Sequence, residues 1–514
     1  MSRQPASIKH IVVQAGGEGT RMRWFTTNKP KALISVGGEP MLLRLMRQHP
    51  EAQFYIVAAY KAEVLKAYLK KFAQGYRYKI VVTQDSGTCA GLRQSLHLIP
   101  AGEPLLITWC DLYVKGRLYG PAIDATNDNY LGLSNTFPCR WSYESGQLQE
   151  APSNTHGVAG VYIFQDKKEL SDVPDNGEFC RYLQVKGLPF KHYFLKDVYE
   201  VGTLEAYAAV TQNLPATRPF NKLTIKNEEV IKEPLDDQGR QLAAREVAWY
   251  RAVSEQKFDF LPKVFRTDPL TLQKLPGSNL FDVQLPQAKK RQVLSRYIEQ
   301  LKALHELPIK KTQTDFYAND YKALIGKTKE RLDSIANLVP FSDGQTIIIN
   351  GRQCKNFYQQ WERVEKFAQQ FLGKSEYRFI HGDPTFSNTL YDTHQNKVYF
   401  IDPRGYYGDV ELLGDPDYDW AKAYYSLVGN YDQFNRKKFQ LVITEEGVEL
   451  DIESSGWEST EADFFKLTKA NATKINFIHA IIWLSLASYA WDDYDSICGA
   501  FYNGIYLMQE LLGS

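Results

Sequence analysis

A chain of 514 residues exceeds what one hydrophobic core serves, because cores stop growing at roughly 250 to 300 residues and longer chains divide. Two domains are therefore expected, and a composition of 44% hydrophobic and 24% charged residues lets both of them fold. The 61 Lys and Arg balance 60 Asp and Glu, so there is no broad positive field for nucleic acid or an anionic membrane, and any phosphate binding must be local.

Along the chain, short β-branched runs alternate with amphipathic stretches from residue 8 onward. Strands are expected at 11–14, 53–59, 79–83, 105–109 and 158–164, and helices at 41–48, 61–72 and 203–211. This alternation predicts βαβ units on a parallel sheet, an α/β domain over residues 1–213. The proline-bearing polar stretch 213–219 reads as a linker. Beyond it, residues 214–514 open with a hairpin at 222–232, a helix at 241–253 and a strand at 271–275. After Pro286 the pattern is mostly helical, interrupted by strands at 377–380 and 398–401, so the second domain is expected to be α+β. The apolar segment 477–491 is shorter than the roughly 20 residues of a membrane span and reads as a buried helix. Cys89, Cys110, Cys139, Cys180, Cys354 and Cys498 show no metal-ligand spacing, and residues 1–10 carry no signal-peptide stretch. A cytoplasmic protein without membrane insertion is expected.

Directly after the first predicted strand comes Gln14-Ala-Gly-Gly-Glu-Gly-Thr-Arg-Met22, followed by Lys29-Pro-Lys-Ala-Leu33 and Val36-Gly-Gly-Glu-Pro40. Gly16, Gly17 and Gly19 allow backbone N–H groups to approach a triphosphate, and Arg21 and Lys31 would neutralise it. The combination, Thr20 included, resembles the nucleotidyltransferases that comprise NDP-sugar pyrophosphorylases and phosphocholine cytidylyltransferases, over about residues 8–210. The resemblance implies attack of a substrate phosphate on the α-phosphate of an NTP, with release of pyrophosphate. It puts Gln84, Gly87 and Thr88 where the base is read and Asp111 where a carboxylate holds Mg²⁺; Glu200 stands where the family's second metal carboxylate is an Asp. The family's sugar-phosphate lysine is absent from Glu150-Ala151-Pro152, leaving Arg181, Lys186 or Lys191 to substitute. The Asn-Asn-x-x-Ser segment of the phosphocholine enzymes is absent as well.

In the second domain, Phe379-Ile-His-Gly-Asp-Pro-Thr-Phe-Ser-Asn-Thr-Leu390 precedes Tyr399-Phe-Ile-Asp-Pro-Arg-Gly405. An Asp and an Asn five residues apart, with an Asp after the next strand, supply a base and two oxygen ligands: Asp383 for the proton, Asn388 and Asp402 for Mg²⁺. The pattern resembles the aminoglycoside phosphotransferase and choline kinase family, which implies a two-lobed, protein-kinase-like domain. The resemblance further implies that Lys232 contacts the ATP phosphates, that Glu246 orients Lys232, that 272–277 is the hinge, and that Asp419 steadies the catalytic loop. His305 and His381 read as structural. Trp483, Tyr489, Trp491, Asp492, Asp493 and Tyr494 compare with a cation cage, although aromatics at this spacing usually belong to a core.

Together the two resemblances imply a bifunctional enzyme. ATP would phosphorylate a small hydroxyl compound (an amino alcohol, a polyol or a sugar), and an NTP, CTP or UTP favoured, would then activate the phosphate as a CDP-alcohol or NDP-sugar for surface polysaccharide or lipid head groups. Open alternatives are a choline kinase joined to a phosphocholine cytidylyltransferase, one active domain with the other a nucleotide-sensing regulator, and an antibiotic-modifying kinase with an unrelated partner.

Overall fold

The run His-Ile-Val-Val-Gln forms β1 (His10–Gln14), with Ile11, Val12 and Val13 wholly buried. A strand that is apolar on both faces belongs at the centre of a parallel sheet covered by helices, and β1 lies there in the computed structural model. The structure describes residues 8–120, 123, 128–212, 214, 221–309, 314–344, 346–489 and 493–513. Its contacts divide into one unit of residues 1–217 with 491–495, and a second of 218–490 with 496–514. The linker stretch lies outside the described residues except for Leu214.

In the first unit, α1 (Met41–Gln48), β2 (Gln53–Ala58), α2 (Ala62–Phe72), β3 (Arg77–Val82), α3 (Leu92–His97) and β4 (Leu105–Trp109) follow β1. β1 pairs in parallel with β2 and β4, and β2 with β3. Beyond β5 (Leu112–Val114) the sheet continues through β6 (Tyr130–Ser134), the hairpin β7 (Ser142–Glu144) and β8 (Gln147–Gln149), and β9 (Gly157–Phe164). The order is β8-β7-β9-β4-β1-β2-β3, with β9 antiparallel to β4 and to β6. The sheet is thus mostly parallel with an antiparallel extension that the βαβ alternation did not predict. Its hairpin turns on Ser145 and Gly146, both at positive φ, as two-residue hairpin turns require. After α4 (Phe179–Lys186) come β10 (Lys191–Phe194), β11 (Val198–Glu200) and α5 (Leu204–Thr211). The Thr203 hydroxyl caps α5 by accepting the Ala206 N–H.

The second unit opens with β12 (Asn221–Lys226), β13 (Glu229–Pro234), α6 (Asp237–Val253), β14 (Val264–Thr267) and β15 (Leu270–Gln273), an antiparallel sheet in the order β12-β13-β15-β14. The long helix α7 (Gln287–His305) follows. Then α8 (Phe316–Tyr321) runs through a π-helical turn, Lys322–Gly326, into α9 (Lys327–Asp333). β16 (Thr346–Ile349) and β17 (Arg352–Lys355) form a further hairpin, next to α10 (Trp361–Phe371). The hairpin β18 (Thr389–Asp392) and β19 (Lys397–Phe400) precedes α11 (Pro416–Leu427), β20 (Phe439–Ile443), β21 (Val448–Ile452), α12 (Glu461–Thr468), α13 (Ala472–Tyr489) and α14 (Tyr494–Gly513).

The sheet β17-β16-β21-β20 corrects the expectation of a mostly helical region. Its signal was local: Asn350-Gly351 sits at positive φ between two short strands, the side-chain pattern of a tight hairpin. Among the described residues no helix is long and apolar enough to cross a membrane, and the six cysteines are free.

Candidate functional sites

In the first unit, β1 runs into the glycine loop at the carboxyl end of the parallel strands, where open α/β sheets leave a crevice for ligands. Gly19 adopts φ 65°, and a Cβ there would press on Thr26 and Lys31, so the glycine keeps the loop close to the lysine. Thr20 and Arg21 are exposed. Lys31 Nζ lies 2.5 Å from Asp111 Oδ2, with side chains 10% and 15% exposed.

Asp111 follows β4, and its carbonyl accepts the Val201 N–H at 2.8 Å. Glu200, at the end of β11, is in register with Leu112 of β5. The chain therefore brings two carboxylates together from distant positions. Burial lifts the Glu200 carboxyl above its ordinary value and the charge of Asp111 lifts it further, while Lys31 and Arg21 oppose both. Arg21 is 3.9 Å from Glu200. Asp111 Oδ1 is buried without a hydrogen-bond partner among the described residues, so one lone-pair direction of this carboxylate is unused there. Two facing carboxylates with a spare buried oxygen fit a divalent cation, and the adjacent cations fit phosphate. Lys29 is used internally: it meets Asp495 at 2.5 Å and Asp493 at 3.5 Å within the same unit.

In the second unit, Lys232 of β13 is buried and meets Glu246 of α6 at 2.6 Å as well as Asp402. Burial works against the lysine's charge, but Asp402 and Glu246 outweigh it and hold Lys232 above its ordinary value. Burial likewise lifts Glu246, against the pull of Lys232. Asp402 itself sits at φ 57° after β19.

Asp383 lies on the loop before β18, 3.0 Å from the half-buried Lys422 ammonium of α11. Burial disfavours its charge, yet Lys422 and Arg404 prevail and hold the carboxyl below its ordinary value, ionised and able to accept a proton. The Asn388 amide donates to the Asp383 carbonyl at 2.8 Å and to Asp383 Oδ2 at 3.1 Å. Both bonds use its nitrogen, which directs its oxygen to other partners. Asp419, fully buried, accepts the His381 and Gly382 N–H groups at 2.9 and 2.7 Å and meets His305 at 3.0 Å. The ring nitrogens of His381 lie 3.1 Å from the Ile401 carbonyl and 3.3 Å from the Asp383 N–H. This histidine braces the loop.

Residues 11–129 match the family model described as the MobA-like NTP transferase domain. The chain is 38% identical over 202 residues to glucose-1-phosphate cytidylyltransferase of Salmonella typhi, covering 32% of this chain and 77% of that protein. This chain belongs to the nucleotidyltransferase family. It is also 31% identical over 134 residues to N-acetylmuramate alpha-1-phosphate uridylyltransferase of Caulobacter vibrioides, covering 24% of this chain and 53% of the relative. The crystal structure of HddC from Yersinia pseudotuberculosis aligns at 21% identity and TM-score 0.35, over 40% of this chain and 98% of that one. By the family model and the cytidylyltransferase relative, the first unit is a nucleotidyltransferase domain of the NDP-sugar pyrophosphorylase and cytidylyltransferase type.

Within the nucleotidyltransferase unit, the residues expected at the base behave differently from one another. Gln84 is exposed beyond β3. Gly87, at φ 84°, lets its loop touch the Gly177 carbonyl, which a Cβ would strike. The Thr88 hydroxyl accepts the Phe179 N–H at 2.8 Å. The stretch 86–90 is thus tied down, and two residues passed over in the sequence do the tying. Gln14 donates to the carbonyls of Thr88 and Ala90 at 2.9 and 3.1 Å. Asn176 accepts the Ser86 N–H at 2.7 Å. Neither carries a sequence signal beyond its polarity at a strand end or turn.

The cations considered as substitutes for the missing lysine are already paired: Lys186 with Asp172, Lys191 with Asp128, and Arg181 with Glu150, which Arg140 also holds. Of the aromatic cluster, Trp483 is fully buried against Tyr425 and Phe434, and Tyr494 is likewise buried. Both serve the core. Trp491 and Asp492 lie outside the described residues, as does the Tyr489 side chain.

Proposed function

We propose that the chain activates a sugar in two steps, a phosphorylation by ATP in the second unit followed by nucleotidyl transfer in the first. The observation that carries the reading is the convergence of Lys232, Glu246, Asp402, Asp383 and Asn388 in a unit that shares its chain with a nucleotidyltransferase, because a kinase supplies the phosphate ester that nucleotidyl transfer consumes. Both curated relatives described above are named for transfer of a pyrimidine nucleotide to a sugar 1-phosphate, which supports CTP or UTP as donor and a sugar as acceptor.

In the kinase step, the Asp383 carboxylate takes the proton of the acceptor hydroxyl as its oxygen bonds to the γ-phosphorus and the γ-phosphorus–oxygen bond to ADP breaks. Lys232, oriented by Glu246, contacts the ATP phosphates. In the transfer step, a phosphate oxygen of the new ester attacks the α-phosphorus of the NTP and pyrophosphate leaves, while Lys31 and Arg21 offset the charge that develops. Gly16, Gly17, Gly19 and Thr20 cradle the triphosphate, and Gln84 is the side chain free to read the base. Asp111 with Glu200, and Asn388 with Asp402, would hold Mg²⁺, which when bound neutralises the phosphates at each site.

The test is to supply free sugars with ATP and each NTP in turn and follow ADP and pyrophosphate. Pyrophosphate should appear only when ATP is present, whereas a preformed sugar 1-phosphate should release it without ATP. Pyrophosphate from a free sugar without ATP contradicts the reading.

A further inference from the structure

In the second unit, a cavity of about 230 Å³ is lined by Lys322, Lys327, Glu330, Arg404, Tyr406 and Asp409, among others. Its wall includes the π-helical turn Lys322–Gly326, a geometry that recurs at functional sites. The cavity is linked to the loop of Asp383 by its lining residue Arg404, whose backbone N–H donates to the His381 carbonyl at 2.9 Å. Arg404 and Lys422 both act electrostatically on Asp383, and Tyr418, another lining residue, hydrogen-bonds Arg404 at 3.2 Å.

The charges around this cavity are unbalanced. Lys322 and Asp409 cancel as an ion pair at 2.6 Å, and Lys422 is matched by Asp383. Among the described residues the Arg404 guanidinium has only phenols as hydrogen-bond partners, Tyr418 and, at 3.1 Å, Tyr406. Arg245 lies over the Tyr406 ring at 4.0 Å and adds a further cation. Among the described residues Lys327 makes no ion pair or side-chain hydrogen bond, and burial together with Arg404, Arg331 and Lys422 works against its charge. The exposed Glu330 is the remaining lining carboxylate. Asp383 is the carboxylate that acts on Arg404, and Lys422 shares it; a half-buried ammonium such as Lys327 is costly unless a ligand supplies the charge, and a guanidinium beside an ammonium suits an oxyanion. A cationic acceptor would meet repulsion here.

We infer that the hydroxyl compound phosphorylated by the second unit carries an anionic group, a carboxylate or a phosphate, held by Lys327 and Arg404. This rests on the kinase reading above and narrows its acceptor to an acidic sugar or sugar phosphate.

The test is calorimetric binding to the full chain, without ATP, of glucuronate, glucose 6-phosphate, glucose and choline. At least one anionic probe should bind more tightly than glucose and choline, and which one binds distinguishes carboxylate from phosphate. Lys327→Met should weaken that binding about tenfold or more, the contribution of a charge-assisted hydrogen bond, and Lys327→Arg should restore it. Lys31→Met, in the nucleotidyltransferase unit, should leave it unchanged.

The inference is overturned if glucose or choline binds as tightly as the anions, if no probe binds, or if the anion's affinity follows Lys31 instead of Lys327. ADP formation separates the two layers. Turnover of glucose in preference to both anions keeps the kinase and rejects the anionic acceptor. Lys327-dependent anion binding with no ADP formed from any probe rejects the kinase and keeps the anion site.

Discussion

Replacing Lys31 by Met would leave Asp111 and Glu200 facing each other without their nearest cation. Removing one partner of a buried ion pair costs about 3–5 kcal/mol. The exposures of 10% and 15% for this pair admit some water, which puts the loss near the lower end, ~3 kcal/mol. For a domain of this size each kcal/mol displaces the melting temperature by about 2–4 °C, so the nucleotidyltransferase transition should fall by about 6–12 °C. Lys31→Met combined with Asp111→Asn removes both charges and should recover most of that loss. Catalysis should not follow stability: losing a preorganised cation at the developing charge costs roughly 10²–10³ in kcat, and the double variant lacks that cation and the carboxylate proposed for Mg²⁺ as well. Scanning calorimetry and pyrophosphate release from CTP with glucose 1-phosphate measure the two quantities. A Lys31→Met protein that melts with the wild type and keeps transfer within a few-fold, or a double variant that regains transfer, would refute the reasoning.

Asp383→Asn keeps the loop's shape while removing the proton acceptor, and should lower ADP formation by about 10²–10⁴ yet leave pyrophosphate release from a supplied sugar 1-phosphate intact; equal loss of both would contradict the two-site assignment. Gly160 adopts φ 78° with its α-carbon against the Trp109 ring, so Gly160→Ala should destabilise the first unit by about 2–5 kcal/mol through backbone strain and overpacking, read by thermal unfolding with tryptophan fluorescence. Burial, then Arg404, Arg331 and Lys422, bring Lys327 from an ordinary 10.5 down to about 6, in a cavity that also presents Lys322, Glu330 and Asp409. In the window between those values the unfolded chain holds the proton and the folded chain does not, so this group makes stability rise with pH from about 6 to 10.5. An anion bound beside Lys327 should draw the proton back. Calorimetry at pH 7.5 in buffers of different ionisation enthalpy should therefore register proton uptake on binding, and Lys327→Met should abolish it.

Much of the geometry of both candidate sites was legible because the residues that meet there stand in contiguous motifs. Gly19, Lys31, Asp383, Asn388 and Asp402 carry, at fixed spacing, the side chains or backbone freedom from which the two candidate phosphate sites are proposed, and the parallel strands follow from β-branched runs buried on both faces. The pairing of Asp111 with Glu200 spans distant positions and rested on resemblance, since it depends on β11 returning beside β5. What escaped was carried by tertiary context. Gln14 and Asn176 are ordinary amides until the loop at 86–90 folds onto them, and Gly87 and Thr88 hold that loop to 176–179 through their own backbone and hydroxyl. Lys327 and Arg404 are distant in sequence, and the fold brings them to one cavity. The β16–β17 hairpin is a different case, because Asn350-Gly351 announced it and the surrounding helical pattern obscured it.

The coupling of the two units is tested most directly by following the γ-phosphate of labelled ATP when the full chain is given a free acidic sugar, CTP or UTP, and Mg²⁺. The label is predicted in the sugar-side phosphate of the nucleotide-linked product and not in the released pyrophosphate; label in pyrophosphate, or a nucleotide-linked product that forms unlabelled, would contradict a kinase that feeds the nucleotidyltransferase.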